Sequence, residues 1–440
     1  MSTQHDIYLA TANQIGAQLC RDAIWWQTRC GWLGSAMENV NGAWTVVERA
    51  AGPDLYGGTS GIALFLARLY AATGERLYRT TAMGALNQAW SKREEIAPHA
   101  RLGFYSGCLG VAYARMMAAE SDRQEDQSVP ALELIESLVG AELNPLALDV
   151  ISGSAGAIPV LLELHRRCEK NWLIELAIRH GEHLLNTARK RDVGWSWKTL
   201  EISTRDDLTG FSHGTSGIAW AFLELYEVTG DPRWRSAAEE AFRYERRWFN
   251  PQEGNWADLR VFDQAAAMQS PTPPCSMAWC HGAPGIALAL LRAFEILGGD
   301  AWRKEAETTL ATTAKSLETP TQPVFGNFSL CHGQAGNAEG LLYASQVLDP
   351  SYLRAAETTA QHGIQFHHTP RGPWPCGVQG GGETPSLLLG LAGIGYFYLR
   401  LSNLDTNLSV LMVGRSAHSK KSVPAAPEKP TGSHAPPVAE

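Results

Sequence analysis

The chain repeats one short pattern seven times. A Gly-x-x-Gly pair stands at Gly58/Gly61, Gly107/Gly110, Gly153/Gly156, Gly214/Gly217, Gly282/Gly285, Gly333/Gly336 and Gly390/Gly393, with successive first glycines 49, 46, 61, 68, 51 and 57 residues apart. Each pair opens an apolar run such as GIALFLARLY, GIAWAFLELY, GIALALLRAF or GIGYFYLRLS. These runs are hydrophobic almost all round, which suits a helix buried on most sides. One such pair arises by chance, but seven copies specify units that bury their apolar faces only by stacking on one another. Glycines three apart at a helix start let the backbone turn sharply and let neighbours approach closely, because no Cβ stands in the way.

Between the runs lies a second unit, seen in TGERLYRTTA, TGDPRWRSAA, GGDAWRKEAE and LDPSYLRAAE. An aromatic residue (Tyr78, Trp234, Trp302, Tyr352) precedes an alanine four positions on (Ala82, Ala238, Ala306, Ala356), and Gly, Asp or Pro supplies a helix start signal. Each repeat reads as an outer amphipathic helix, a loop, a glycine pair and an inner buried helix. The expected fold is all-α, an α/α toroid of seven inner and seven outer helices over residues 1–415. Cys376 to Pro385 (CGVQGGGETP) reads as an extended loop before the last inner helix, closing one end of the barrel. Residues 416–440, rich in Pro, Ala and Lys, are expected to be a disordered tail.

Composition narrows the function. The 440 residues carry a net charge of −8, so neither a phosphate backbone nor an anionic lipid surface is generally attracted, and no basic patch stands out. The N-terminus lacks a signal-peptide pattern and no apolar run reaches the ~20 residues of a membrane span. The chain is therefore read as cytoplasmic. Its eight cysteines are spread through a long chain, unlike a disulfide framework, which leaves metal or catalytic use open. The fifteen tryptophans read as packing and surface anchors.

The repeats differ at the two residues before each first glycine. In chain order these are Tyr56-Gly57, Tyr105-Ser106, Ile151-Ser152, Ser212-His213, Cys280-His281, Cys331-His332 and Leu388-Leu389. Only repeats four to six place a thiol or imidazole there, and in a stacked ring equivalent positions lie at one height. His213, Cys280, His281, Cys331 and His332 are thus expected to converge at one end of the barrel. Thiolate sulfur and imidazole nitrogen are donors that zinc prefers, and Cys280, Cys331 and His332 supply three, leaving a fourth position open as catalytic sites do. Each residue also has a plainer reading. Either Cys serves equally as a small buried hydrophobe, His213 as a helix-capping or core histidine, and Asp149 as a cap near an inner helix. Cys20, Cys30, Cys108 and Cys168 read as packing residues.

SHGTSGIA, WCHGAPGIALALL and LCHGQAGNAEGLL, followed by LLLGLAGIGYFYL, resemble the lanthionine synthetase C-like family in order and spacing, across nearly the whole ordered chain. The resemblance implies the same toroid, with Zn2+ held by Cys280, Cys331 and His332. It makes His213 the acid/base residue, with Asp149 as its acidic companion and His281 as second candidate. It also implies lanthipeptide cyclisation, in which a precursor cysteine thiolate adds to dehydroalanine or dehydrobutyrine to form a thioether ring. Some members carry an Arg four residues before the first zinc cysteine, where this chain has Ser276, and some a Tyr where it has His281.

Only 56 residues precede Gly57, too few for a dehydratase. A leader-bearing dehydrated precursor peptide and a separate dehydratase are therefore expected partners, with a synthetase complex or exporter beside them. Three other functions compete: glutathione addition to dehydroamino acids on the same fold, a metal-free binding scaffold, and a carbohydrate enzyme. The last needs paired carboxylates at the barrel mouth, and Asp149 alone is acidic among the candidates.

Overall fold

The computed structural model describes residues 4–40, 43–124, 128–262, 268, 270, 272–318, 326–367 and 372–414; the expected tail lies outside them. Fourteen α-helices dominate these residues. Seven are inner: α2 (Thr59–Thr73), α4 (Cys108–Ser121), α6 (Ser154–Cys168), α8 (Thr215–Thr229), α10 (Ala283–Leu297), α12 (Gln334–Val347) and α14 (Leu391–Ser402). Seven are outer: α1 (Gln4–Arg21), α3 (Arg76–Lys92), α5 (Val129–Ser137), α7 (Asn171–Thr187), α9 (Pro232–Arg247), α11 (Asp300–Glu318) and α13 (Tyr352–His367). Each inner helix touches the next and α14 touches α2, so the ring closes. The expected all-α toroid is the observed architecture.

Two details differ from expectation. Each inner helix packs more extensively on the outer helix that follows it than on the one before, and α14 packs on α1, so the first outer helix completes the last pair. Four antiparallel hairpins also decorate the rim: β1 (Ile24–Trp26) with β2 (Arg29–Gly31), β3 (Leu33–Val40) with β4 (Ala43–Ala50), β5 (Arg189–Arg191) with β6 (Gly194–Ser196), and β7 (Phe249–Asn250) with β8 (Asn255–Trp256). Among the described residues no helix is long and apolar enough to cross a membrane.

The glycine pairs divide their work. Every first glycine is the N-cap of its inner helix. Each second glycine lies against the carbonyl oxygen six residues earlier: a Cβ at Gly61, Gly110, Gly156, Gly217, Gly285, Gly336 or Gly393 would come within 1.8–2.2 Å of that oxygen, on Leu55, Phe104, Val150, Phe211, Trp279, Leu330 or Leu387. The loop is thereby folded flat on the helix start. A circuit of backbone hydrogen bonds then links the seven loops. Ser212 N–H donates to Cys280 O (3.2 Å), Cys280 to Cys331 O (3.2 Å), Cys331 to Leu388 O (2.9 Å), Leu388 to Tyr56 O (3.0 Å), Tyr56 to Tyr105 O (2.8 Å) and Tyr105 to Ile151 O (3.0 Å). Val150 N–H closes the circle on Ser212 O at 3.0 Å.

Below this girdle the barrel is filled. Tyr105, Phe211 and Trp279 form an aromatic floor, with Trp279 5.7 Å from Tyr105 and 5.8 Å from Phe211 between ring centres. The last described segment, residues 403–414, caps the barrel from below. Tyr105 Oη donates to Val410 O at 2.6 Å, Arg400 Nη1 to Asn407 O at 2.6 Å, and Ser409 Oγ to Glu339 Oε2 at 2.7 Å. The inner helices are consequently less apolar than their sequences suggest. Arg292 pairs with Glu224 at 2.7 Å and Arg400 with Glu339 at 2.8 Å, buried charges that persist because each is matched.

Gly156→Ala is expected to destabilise the chain by about 3 kcal/mol, since the rigid Val150 carbonyl has nowhere to move. Gly140→Ala, which meets nothing within 4 Å, is expected to be silent. Thermal unfolding of the two variants decides the matter, and equal melting temperatures would contradict the close-approach role.

Candidate metal centre

The girdle decides which side chains meet. Cys280 and Cys331 occupy adjacent stations, so their thiols are neighbours, and His332 follows the second. One ligand atom from each of Cys280, Cys331 and His332 forms a set within 4.8 Å of one another. Tetrahedral bonds of ~2.0–2.3 Å place such donors roughly 3.5–4 Å apart, so little movement separates this set from a closed metal site. Among the described residues no other group of three His, Cys, Asp or Glu meets the same spacing. Two sulfurs and one imidazole are a donor set that zinc favours, and a fourth position stays free.

Surrounding groups orient the three. His332 Nε2 lies 2.8 Å from Gly377 O, which places the ring proton on Nε2 and leaves the Nδ1 lone pair for a ligand bond. The glycine-rich loop is needed here, because a Cβ at Gly377 would come within 3.0 Å of that same Nε2. Asn327 shapes the approach by accepting from Ser329 N–H (3.0 Å) and Oγ (2.6 Å) while reaching His332 O (3.3 Å). Tyr56, the equivalent station of the first repeat, donates its hydroxyl to Cys331 Sγ at 3.0 Å.

The thiols are electrostatically unequal. A hydrogen bond from Cys280 lowers the Cys331 pKa against the effect of burial, aided by Tyr56 and Arg260. The same hydrogen bond and burial raise Cys280 well above the ordinary thiol value. A bound cation would favour the thiolate form of both.

His213 stands at the next station beyond Cys280. Its Nδ1 lies 2.6 Å from Asp149 Oδ2, and the other carboxylate oxygen accepts from Ser152 N–H (2.8 Å) and Oγ (3.1 Å). Asp149 is only 1% exposed, whereas the His213 side chain is 24% exposed. Burial opposes the imidazolium, but the Asp149 charge and hydrogen bond outweigh it and raise His213 above the ordinary histidine value. The loop is anchored from behind by Glu245, which accepts from Gly210 N–H at 2.8 Å and from Thr215 Oγ1. Asp149 therefore both shapes its own loop and pairs with His213.

His281 behaves differently. Its ring lies 5.8 Å from that of His213, it is 2% exposed, and its Nε2 has no hydrogen-bond partner among the described residues. Burial, with the nearby Arg260 charge, pushes its pKa down to about 3, so it is neutral at physiological pH. A local cause is the backbone: Gly282 has φ +97°, unlike the extended N-cap glycines of the other repeats, and this turn folds His281 inward.

The five residues expected at the mouth, with Asp149, are thus brought together. Tyr56, Gly377 and Arg260 were missed. Tyr56 was open to discovery because it shares the repeat position of the two cysteines; the other two lie outside the repeat frame. Cys20, Cys30 and Cys108 are buried away from the three-residue set, as expected of packing residues.

A profile described as lanthionine synthetase C-like protein matches residues 49–412. The chain belongs to that family. Over 321 residues, 70% of its length, it is 24% identical to the lacticin 481/lactococcin biosynthesis protein LcnDR2 of Lactococcus lactis subsp. lactis, of which the match spans 31%. Over 357 residues it is 23% identical to glutathione S-transferase LANCL1 of Danio rerio, covering 78% of this chain and 80% of that one. The solved structure of nisin cyclase shares the fold, with TM-score 0.59 and 18% identity over 81% of this chain and 90% of that one. The chain therefore spans about a third of the lacticin relative and four-fifths of the zebrafish one. Membership gives the toroid and its lanthionine-related context. The ligand set gives a specific test: purified chain is expected to carry about one zinc, and Cys280→Ala or Cys331→Ala to lose it while Cys20→Ala keeps it. Metal analysis beside a folding check measures this, and equal zinc in all variants would refute the assignment.

Proposed function

We propose that this chain is a lanthipeptide cyclase that adds precursor cysteine thiolates to dehydroalanine or dehydrobutyrine. The observation that carries the reading is the juxtaposition of Cys280, Cys331 and His332 with the His213–Asp149 pair on the family's toroid. Zinc held by Cys280, Cys331 and His332 would supply the positive charge that keeps a substrate thiol deprotonated at neutral pH and fixes its sulfur.

The protein's own groups do the rest. Tyr56 and the Gly377 carbonyl hold Cys331 and His332 in place. As sulfur bonds to the β-carbon, the double-bond electrons move toward the carbonyl and the α-carbon needs a proton. The contact with Asp149 favours the protonated form of His213, whose side chain is 24% exposed, which suits it to deliver that proton. Neutral, enclosed His281 shapes the wall beside it. The substrate on this reading is a leader-bearing precursor peptide whose Ser and Thr have been dehydrated by a separate dehydratase. A synthetase complex with that enzyme and an exporter is the corresponding assembly.

One observation favours a second reading: the match to LANCL1, named a glutathione S-transferase, covers most of both chains. The same chemistry would then join glutathione to dehydroamino acids. The test is incubation of the zinc-loaded chain with a dehydrated cysteine-containing precursor, with and without glutathione, followed by thiol alkylation and mass spectrometry. Cyclisation removes one alkylatable thiol per ring without changing mass, whereas glutathione addition raises mass by one tripeptide. His213→Ala is expected to slow ring formation by roughly 10²–10⁴-fold with zinc content unchanged. Persistent free thiols with wild type, or full rate in His213→Ala, would contradict the cyclase reading.

A further inference from the structure

Arg260 lies outside the repeat frame, yet the fold delivers it to the mouth. Its segment runs between the two loops that carry His213 and Cys280. On one side Asp258 N–H donates to Pro274 O at 2.7 Å and Ala257 forms an antiparallel bridge with Cys275, five residues before Cys280. On the other side Arg260 itself bridges Thr204, and Val261 N–H donates to Ser203 O at 2.9 Å. The strap thus ties one wall of the site to the other.

The guanidinium is fixed in a fork. Nε donates to Asp258 Oδ1 at 2.9 Å and Nη2 to Oδ2 at 2.6 Å, while Ser276 Oγ donates to the same Oδ2 at 2.6 Å. Asp258 is almost wholly buried; burial pushes its carboxyl up, but the Arg260 fork outweighs it and holds it at about 2. The Arg260 side chain is 22% exposed, and Nη1 makes no hydrogen bond among the described residues. Through Asp258 the guanidinium is tied to Ser276, four residues before Cys280, its carbon lies 4.9 Å from the centre of the Phe262 ring, and its charge bears on His213, His281, Cys280 and Cys331. A guanidinium stays charged at every working pH and presents a rigid donor edge suited to an oxyanion.

We propose that Arg260 is a substrate-binding catalytic residue of the addition step, its free edge receiving the carbonyl oxygen of the dehydro residue. This rests on the thiol-addition reading above. In that step a carbon–sulfur bond forms at the β-carbon, the carbon–carbon π bond breaks, and its electron pair collects on the carbonyl oxygen as an enolate. The pair then returns to the α-carbon as that carbon takes a proton, so the thiol proton lost at the start is restored in the thioether. No oxidant or reductant is needed. Arg260 stabilises the charge at the one stage when it resides on oxygen, where a preorganised donor contributes most. Asp258 and Ser276 position Arg260 and do not touch substrate.

The experiment compares wild type, Arg260→Met, Arg260→Lys and the Arg260→Ser/Ser276→Arg double variant, all zinc-loaded. Each is tested on a dehydrated precursor carrying its own cysteine and on a dehydroalanine peptide with added glutathione, because both use the same addition step. Zinc content and melting temperature are read alongside. Arg260→Met is expected to keep its zinc and lose about 10²–10³-fold in kcat, with KM changed by less than about threefold. Arg260→Lys is expected to fall between the two, since it keeps the charge and loses the fork. The double variant returns a guanidinium to the same Asp258 carboxylate and is expected to recover at least about tenfold over Arg260→Met. Should Arg260→Met fail to fold, Arg260→Lys and the double variant decide. Wild-type activity on either substrate with equal kcat in the folded variants would overturn the role of Arg260 alone. A zinc-loaded wild type inactive on both substrates would overturn the thiol-addition reading and Arg260 with it.

Discussion

The closed circuit of backbone hydrogen bonds around the barrel mouth is the constraint on which the rest of the molecule depends. Seven loops from distant parts of the chain are held at one height, each passing its hydrogen bond to the next. The circuit exists only because each second glycine lets a loop lie flat on its own inner helix, where any Cβ would strike a carbonyl oxygen. Once closed, it fixes neighbour relations without help from side chains. Cys280 and Cys331 are adjacent, Ser212 and therefore His213 come next on one side, and Tyr56 stands beyond Leu388 on the other.

On that scaffold the chain assembles groups with opposed electrostatic needs. Thiolates want positive charge nearby, a proton-donating imidazole wants negative charge nearby, and both sit in a largely dry mouth where charges interact strongly. The structure separates the demands by pairing. Asp149 holds His213, while the Arg260 charge, clamped by Asp258, bears on the thiols. The aromatic floor and the segment 403–414 close the barrel beneath, so the open side of the site is its mouth.

Much of this was legible in the sequence because repetition made it so. The glycine pairs and apolar runs are local signals, and their sevenfold recurrence carried the toroid and the convergence of Cys280, Cys331, His332, His213 and His281. What depended on the third dimension was hidden. The pairing of α14 with α1 joins the last inner helix to the first outer one and has no local signature. The charges of Glu224, Arg292, Glu339 and Arg400 lie within helices whose overall character is apolar, and each is explained only by a partner on another helix or in the closing segment. Tyr56 carries neither a thiol nor an imidazole, so the repeat comparison does not single it out, and only its hydroxyl contact with Cys331 gives it a role. Arg260 reaches the site through strand-like pairing of a non-repeating strap, which no periodicity announces. The inward turn of His281 follows from the positive φ of Gly282, a difference between repeats that identical Gly-x-x-Gly spelling conceals.

The central claim is that adjacency in the girdle builds one metal site from Cys280, Cys331 and His332. X-ray absorption at the zinc edge of the purified, metal-loaded chain tests it most directly. The account predicts two sulfur neighbours at about 2.3 Å, one imidazole nitrogen at about 2.0–2.1 Å and one further light or sulfur ligand from solvent or added thiol. A spectrum with only nitrogen and oxygen neighbours, or one unchanged when both cysteines are replaced, would contradict it.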